Sequence, residues 1–329
     1  MSETLADGAG PVTEEDLNQA FAMHRRELTG FCYRMLGAGA EAEDAVQETM
    51  VRAWRGFADF EGRSSLRSWL YRIANNVCVD MVRSPQRRAR PMEMGPSGST
   101  DAVLGEQLGE HMFVQPVPDD HVIDLDGDPA DVAAARETIR LAFVAALQHL
   151  PARQRSVLIL CEVLRWKAAE VAELLDTSTA SVNSALQRAR ATLADVQGER
   201  LDPRSDPEQA ELLAKYVDAF ERYDIEALVS LLRDDVVLSM PPWDLWLEGP
   251  DNFAGWFLGQ GIVCKDGKLI PVAVNGSPGF ANYHKVDDGV WEAWAIQVIE
   301  IAGGKIIGHH NFIGTELFET FGVPTRIEA

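Results

Sequence analysis

Two groups of side chains have the types and spacing to hold nucleic acid. Between residues 62 and 90 stand seven arginines (Arg63, Arg67, Arg72, Arg83, Arg87, Arg88 and Arg90) and a single acid, Asp80. Guanidinium groups neutralise phosphates, and Arg72, Asn76, Asp80 and Arg83 recur every three to four residues, which places them on one stripe of a helix. The loop before that helix brings Phe57 and Phe60 towards Trp69 and Tyr71, aromatic surface on which an unstacked base can rest. By spacing alone Trp69 itself belongs to the core. A second polar stripe, Ser181, Asn183, Ser184, Gln187, Arg188 and Arg190, offers amides and hydroxyls for base edges and arginines for phosphates. An ordinary helical hairpin would also show a solvated polar face. Turn and capping signals beside this stripe favour DNA binding.

No comparable pattern marks a catalytic centre. Asp244, His284, His309 and His310 are the acid–base candidates, without a carboxylate–histidine spacing that defines a site. Adjacent His309 and His310 would point to opposite faces of a strand, so at most one faces inward. The cysteines, Cys32, Cys78, Cys161 and Cys264, are scattered through apolar segments and suggest neither a metal site nor a disulfide framework. No metal and no cofactor is expected.

These groups need elements to position them. Glu41 to Phe57 reads as a helix with Ala45, Val46, Met50, Val51 and Trp54 on its apolar side and acids and Gln47 opposite. Gly62 and the following serines break it, Ser64 can cap the next helix, and Leu66, Trp69, Leu70, Ile73, Ala74, Val77 and Met81 form that helix's buried face. Residues 91–130 hold prolines, glycines and acids with little periodicity, a linker in which His111–Pro116 is apolar enough to dock. Residues 131–200 are helical again. A short helix burying Ala168, Val171, Ala172 and Leu175, a turn at Asp176–Thr177 and a helix capped by Ser178 or Thr179 make a helix-turn-helix. From 207 the pattern changes to amphipathic helices at Glu208–Tyr223, Ile225–Arg233 and Pro250–Leu258. Strands follow at Leu269–Val274, Phe280–Val286, Val290–Ile301 and Lys305–Phe312. Helices followed by a meander indicate a separate α+β domain.

The net charge of −21 at first argues against DNA binding. Its distribution reverses that, because the basic block lies between acidic stretches and residues 201–329 carry 21 acids against 9 bases. Such a chain binds naked DNA poorly and needs a partner to hold it there. The polar, acidic N-terminus does not read as a signal peptide, and no stretch reaches the roughly 18 apolar residues of a membrane span. A cytoplasmic protein is expected.

Asp44-Ala-Val-Gln-Glu-Thr-Met50 and Ser65 to Asp80 resemble domain 2 of bacterial sigma factors of the extracytoplasmic-function (ECF) type. Leu150 to Arg155, Glu170 to Leu175 and Ser181 to Arg190 resemble sigma domain 4. The resemblance covers residues 18–197, with both motif sets in the family's order. It implies a multidomain protein: domain 2 at 14–90, an acidic linker at 91–130, and domain 4 at 131–200. Tyr216-Val-Asp-Ala-Phe220, Asp234 to Pro242, the Trp243/Trp246 pair, Gly249 opening a helix and the final meander make residues 207–329 resemble, more loosely, the SnoaL-like branch of the cone-shaped α+β fold of nuclear transport factor 2.

By this resemblance Asp44, Gln47 and Glu48 face the clamp helices of the largest subunit of core RNA polymerase, with the flap of the second-largest subunit as a further partner. Phe60, Arg63, Ser64, Arg67, Arg72, Asn76, Asp80 and Arg83 serve the minus-ten element. Ser181, Asn183, Ser184, Gln187, Arg188 and Arg190 serve the minus-thirty-five element, with fewer phosphate contacts than in relatives that carry bases at the positions of Asn183 and Ala185. The linker stands in for the sigma region that threads towards the polymerase active centre. Met240, Trp243, Trp246, Trp256, Phe257, Trp294 and Phe312 are candidates to line a pocket in the C-terminal domain, though aromatic residues so spaced are more often plain core. That domain is expected to contact the sigma domains and regulate them, its negative charge beside two basic surfaces providing a mask. Two alternatives explain less: a ligand-sensing helix-turn-helix repressor leaves residues 18–90 idle, and an isomerase or cyclase with a DNA-binding appendage requires a catalytic Asp244 or pocket histidine.

Overall fold

The computed structural model describes residues 12–82, 88–100, 104–194, 201–202 and 207–329. Helix α1 (Glu14–Leu36) starts at a capping box in which Thr13 and Asp16 bond reciprocally, and stops at Gly37, whose φ of 78° is left-handed. Helix α2 (Gly39–Gly56) and helix α3 (Leu66–Met81) pack with α1 around Phe31, Cys32, Ala45, Leu70 and Tyr71. The cap of α3 is Ser65, whose hydroxyl accepts from the Ser68 N–H, and not the expected Ser64. Two further expectations shift for geometric reasons. At 100° per residue Val51 and Trp54 share the face of Asp44, Gln47 and Glu48, and they are 36% and 55% exposed. Met81, the last residue of α3, is also exposed.

The stretch read as a linker is docked chiefly through residues 113–123, while much of the rest of its described length is exposed. Phe113, Val114, Val117, Val122 and Ile123 are buried, Ala89 bridges to Phe113, and α4 (Asp119–Val122) lies against α1. Phe113 and Val114 lie in the His111–Pro116 segment expected to dock, whereas the burial of Val122 and Ile123 carries no periodic signal in the sequence.

Helices α5 (Pro129–Glu137), α6 (Leu141–Gln148) and α7 (Ala152–Leu158), the last continued by a wider π turn over Ile159–Val163, lead into the helix-turn-helix. That motif is α8 (Ala168–Leu174) and α9 (Thr179–Ala194), with Asp176 left-handed in the turn and the Ser178 hydroxyl capping α9 through the Ser181 N–H.

The C-terminal unit places α10 (Pro207–Glu221), α11 (Ile225–Ser230) and α12 (Pro250–Leu258) on one face of a curled sheet. Its strands are β1 (Leu232–Ser239), β2 (Trp246–Glu248), β3 (Lys268–Val274), β4 (Ser277–Asp287), β5 (Val290–Ala302), β6 (Lys305–Ile313) and, after α13 (Glu316–Thr320), β7 (Arg326–Glu328). The order is β2-β1-β6-β5-β4-β3, with β7 on β5 and β1 parallel to β6, and the sheet does not close. The helix expected to run to Arg233 ends at Ser230, because Leu232 turns into β1 and buries Val236 and Leu238 in the sheet.

The sheet has two buried faces. Phe280, Ile299, Ile301 and Ile306 on the concave side meet α10–α12. Val274, Ala281, Tyr283, Ile296, Val298 and Phe312 on the convex side belong to one continuous hydrophobic core with the helices of residues 17–193.

Candidate nucleic-acid interface

On α2, Asp44 and Gln47 are exposed and Glu48 is half-buried, bonded to Arg52 at 2.7 Å. Arg52 also reaches Asp80 of α3 at 3.2 Å, so Asp80 is tied back towards α2. With Val51 and Trp54 the face becomes an acidic stripe with an apolar end, a pattern that the assumed inward direction of both apolar residues hid.

Before α3, Phe60 packs 4.9 Å from Trp69 and stacks with Phe57 at 6.3 Å, and Gly62 (φ 68°) turns the loop. Ser64 is half-buried there, and Arg63 projects into solvent beside Glu61. The structure thus brings the aromatic group together. It does not leave the arginines free. Arg67 pairs with Glu27 and lies 4.7 Å over the Trp166 ring, and Arg72 Nη2 donates to the Glu173 carbonyl at 3.3 Å. Asn76 is exposed. Arg88, counted with the basic block, is buried and holds the docked stretch through the Glu110 and Phe113 carbonyls and an ion pair with Glu41. Arg83 and Arg87 lie outside the described residues.

Helix α9 buries Val182, Ala185, Ala189 and Leu193 and turns Asn183, Ser184, Gln187, Arg188 and Arg190 outward, with Ser181 half-buried at its start. Arg188 Nη1 donates to Ser184 Oγ at 2.6 Å, and Arg190 pairs with Glu162. Helix α7 is locked onto α1 and α3: Arg155 is buried and donates to the Met35 carbonyl and to Gln148, and Ser156 Oγ donates to Asn75 Oδ1 at 2.6 Å. Tyr71 and Trp166 meet edge to face at 5.0 Å.

The Sigma-70 region 2 family matches residues 20–88, and the Sigma-70, region 4 family matches residues 140–193. The ECF RNA polymerase sigma factor SigG of Mycobacterium tuberculosis is 41% identical over 98% of this chain and 89% of its own length. The chain is an ECF RNA polymerase sigma factor. SigW of Bacillus subtilis, another ECF sigma factor, is 28% identical over 52% of the chain and 83% of its own. The crystal structure of SigJ from M. tuberculosis superposes with a TM-score of 0.60 at 24% identity, covering 94% of this chain and 99% of that one, which shows a shared fold. A sigma factor binds core RNA polymerase and promoter DNA, and the two stripes above are its candidate contacts.

The candidate pocket residues of this sigma factor do not converge on one cavity. Met240 and Trp256 are buried on the concave side, and Trp294 stacks on His284 at 4.2 Å. Trp243 and Trp246 instead bond the Gly105 and Gly95 carbonyls through their indole N–H groups, gripping the docked stretch. Phe312 faces the other way. It lines a cavity of about 170 Å³ shared with Gly39 and Ala40 of α2, Phe113, Pro242 and Leu317.

Of the acid–base candidates, Asp244 is exposed. Burial pushes the His284 imidazole down to about 4 and that of His309, also beside His310, to about 3. His310 turns to the convex side, 3.5 Å from Glu300 and bonded to Ser239. Among the described residues no cluster of His, Cys, Asp and Glu could hold a metal, no cysteine is paired, and no helix is long and apolar enough to cross a membrane.

Proposed function

We propose that this sigma factor works in the cytoplasm and is held in a closed form by its C-terminal domain, opening when it joins core polymerase. In this reading residues 14–90 act as domain 2, 91–130 as the linker, 131–200 as domain 4 and 207–329 as the regulator. Asp44, Gln47 and Glu48 meet the clamp helices, and domain 4 sits on the flap. The loop of Phe60, Arg63 and Ser64 captures a flipped base. Arg67, Arg72, Asn76, Asp80 and Arg83 follow the melted strand, while Ser181, Asn183, Ser184, Gln187, Arg188 and Arg190 read the upstream element. The regulator acts by contact, without turnover: its inward histidines are neutral and face amides and aromatic rings.

The observation that carries this reading is the Asn275–Gly276 turn between β3 and β4. Asn275 is fully buried. Its side chain donates to Tyr33 Oη of α1 and to the Ile139 carbonyl, both at 2.6 Å, and accepts from the Val117 N–H at 2.9 Å. Gly276 N–H donates to Asp119 Oδ1 at 2.8 Å, and Arg140 reaches Ser277 Oγ. One turn thereby ties the helices on either side of the docked stretch to that stretch. Closure also sets α3 against α8, whereas elements centred about 25 base pairs apart are separated by about 85 Å at ~3.4 Å per pair. The closed form cannot reach both at once.

Run-off transcription with core polymerase tests this. Asn275→Ala removes the side-chain ties and should raise transcript several-fold over the parent chain, with a larger radius of gyration in solution. Unchanged transcript from a chain that has expanded would refute the regulatory role.

A further inference from the structure

The seam between the helices and the C-terminal domain is not close-packed throughout. The cavity of about 170 Å³ at Phe312 lies on the convex side of the sheet, away from α10–α12. Gly39 and Ala40 reach it from the start of α2, Phe113 from the docked stretch, and Pro242, Phe312 and Leu317 from the C-terminal domain. Phe113 and Phe312 are buried, whereas Ala40, Glu110, Glu316 and Thr320 are exposed, so the space opens to solvent along that edge.

Protein interiors leave few voids larger than a water molecule, and a void costs stability in proportion to its volume. Walls that are mainly apolar make water a poor occupant, because a buried water needs several polar partners. A cavity of about 150 Å³ with such walls accepts benzene, so this one has room for a single ring. Charge selects the rest of the molecule. The Glu110 and Glu316 carboxylates stand at the edge, and neither forms an ion pair among the described residues. Arg88, which reaches the Glu110 carbonyl, is committed to Glu41. The start of α2 would favour an anion, but Glu41 already occupies its first turn.

We infer that this cavity is a binding site for a small molecule with one apolar ring and a protonated amine, the ring against Phe113 and Phe312 and the amine at Glu110 and Glu316. Its walls belong to both sides of the seam, so the molecule binds the closed form in preference to the open one. The consequence for transcription rests on the closed-form reading of the C-terminal domain. A ligand with that preference multiplies the closed-to-open ratio by about 6 at a concentration about five times its dissociation constant.

Ligand-observed NMR titration of the full chain, without polymerase or DNA, tests the site with benzylamine, its neutral counterpart benzyl alcohol and the anion benzoate. Benzylamine should bind at one site with a dissociation constant on the order of 1 mM, as suits so small a molecule. It should bind about 3-fold tighter than benzyl alcohol, the margin of an exposed ion pair, and benzoate should not bind. Glu110→Gln combined with Glu316→Gln should erase that margin and leave benzyl alcohol binding as in the parent. Thr320→Trp, which fills the mouth from its exposed edge, should block both probes. The site is overturned if benzylamine does not bind, binds no tighter than benzyl alcohol, or binds the Thr320→Trp chain like the parent. Run-off transcription with core polymerase then reads the coupling. Benzylamine at about 5 mM should lower transcript several-fold from the parent chain and not from the Thr320→Trp chain. If Asn275→Ala raises transcript while bound benzylamine does not lower it, the preference for the closed form is overturned. If neither changes transcript, the closed-form reading fails and the site stands on the titration.

Discussion

Trp54 is more than half exposed on the stripe of α2 that carries Asp44, Gln47 and Glu48, with its indole N–H given to Asn18. A solvent-facing tryptophan next to acidic side chains is the kind of anchor that dominates protein interfaces. Trp54→Ala should therefore weaken core-polymerase binding by about 2 kcal/mol, roughly 30-fold, while thermal stability moves by less than about 0.5 kcal/mol. Equal losses of stability and binding would place the ring in the fold instead. A second residue-scale prediction concerns acid. The unfolded chain protonates His309 at its ordinary value near 6.5, while the folded chain resists until about 3. The stability this histidine contributes is complete above pH 6.5 and is lost as pH falls towards 3, with a limiting slope of about 1.4 kcal/mol per pH unit. His309→Gln should flatten urea-melt stability between pH 6.5 and 4 relative to the parent chain. Parallel pH profiles would contradict the buried neutral imidazole.

At the scale of the element, the β3–β4 turn shows how local chemistry serves a long-range purpose. Asn275 (φ 51°) and Gly276 (φ 69°) are both left-handed, the conformation that a two-residue hairpin requires and that Asn-Gly adopts most readily. A Cβ on Gly276 would meet the Arg136 carbonyl oxygen at 2.5 Å. Gly276→Ala should then cost more than about 1 kcal/mol in a melt and loosen the hold of the C-terminal domain on the helices, whereas Gly303→Ala, on an open turn at φ 60°, should cost only backbone strain. Equal costs at both turns would mean that the tip is not wedged. Much of this was legible in the sequence. Strands β3 to β6, the helix-turn-helix and the outward stripe on α9 follow from alternation, caps and spacing, which are local signals. Opposite faces for His309 and His310 follow from strand geometry alone. What stayed hidden depends on partners far along the chain. β1 was concealed because Arg233-Asp-Asp breaks its alternation, and its pairing with β6 is what makes it a strand. Arg88 looked like a phosphate ligand because nothing local reveals that the Phe113 carbonyl awaits it. Phe312 looked like lining of the same pocket as Met240 and Trp256 because the sequence does not say that both faces of the sheet are covered.

Over the whole molecule, the acidic C-terminal domain could hold the helices closed by charge or by packing, and the two differ in their response to salt. The charge pattern of the sequence favours a mask: 21 acids against 9 bases in residues 201–329, beside a block of arginines. The structure puts the weight elsewhere. The face of α9 that carries Asn183, Gln187 and Arg188 remains exposed, and Arg67 and Arg72 are engaged by Glu27, Trp166 and Glu173, all outside the acidic domain. The seam itself is Val274, Ala281, Ile296, Val298 and Phe312 joined to the core of the helices, pinned by the neutral side chain of Asn275 and by Asp119 and Arg140, both buried away from salt. Hydrophobic contact and neutral hydrogen bonds are little screened, whereas exposed charges lose most of their attraction beyond ~10 Å at 0.1 M salt. Small-angle scattering of the free chain should give a radius of gyration near ~20 Å, the value for a compact chain of this length, and that value should hold from low salt to about 0.5 M. DNA binding by the polymerase-bound chain should fall steeply over the same range, because it rests on phosphate contacts. A free chain that swells as salt rises would return the closure to electrostatics and make the acidic surface, not the Asn275 turn, the regulator.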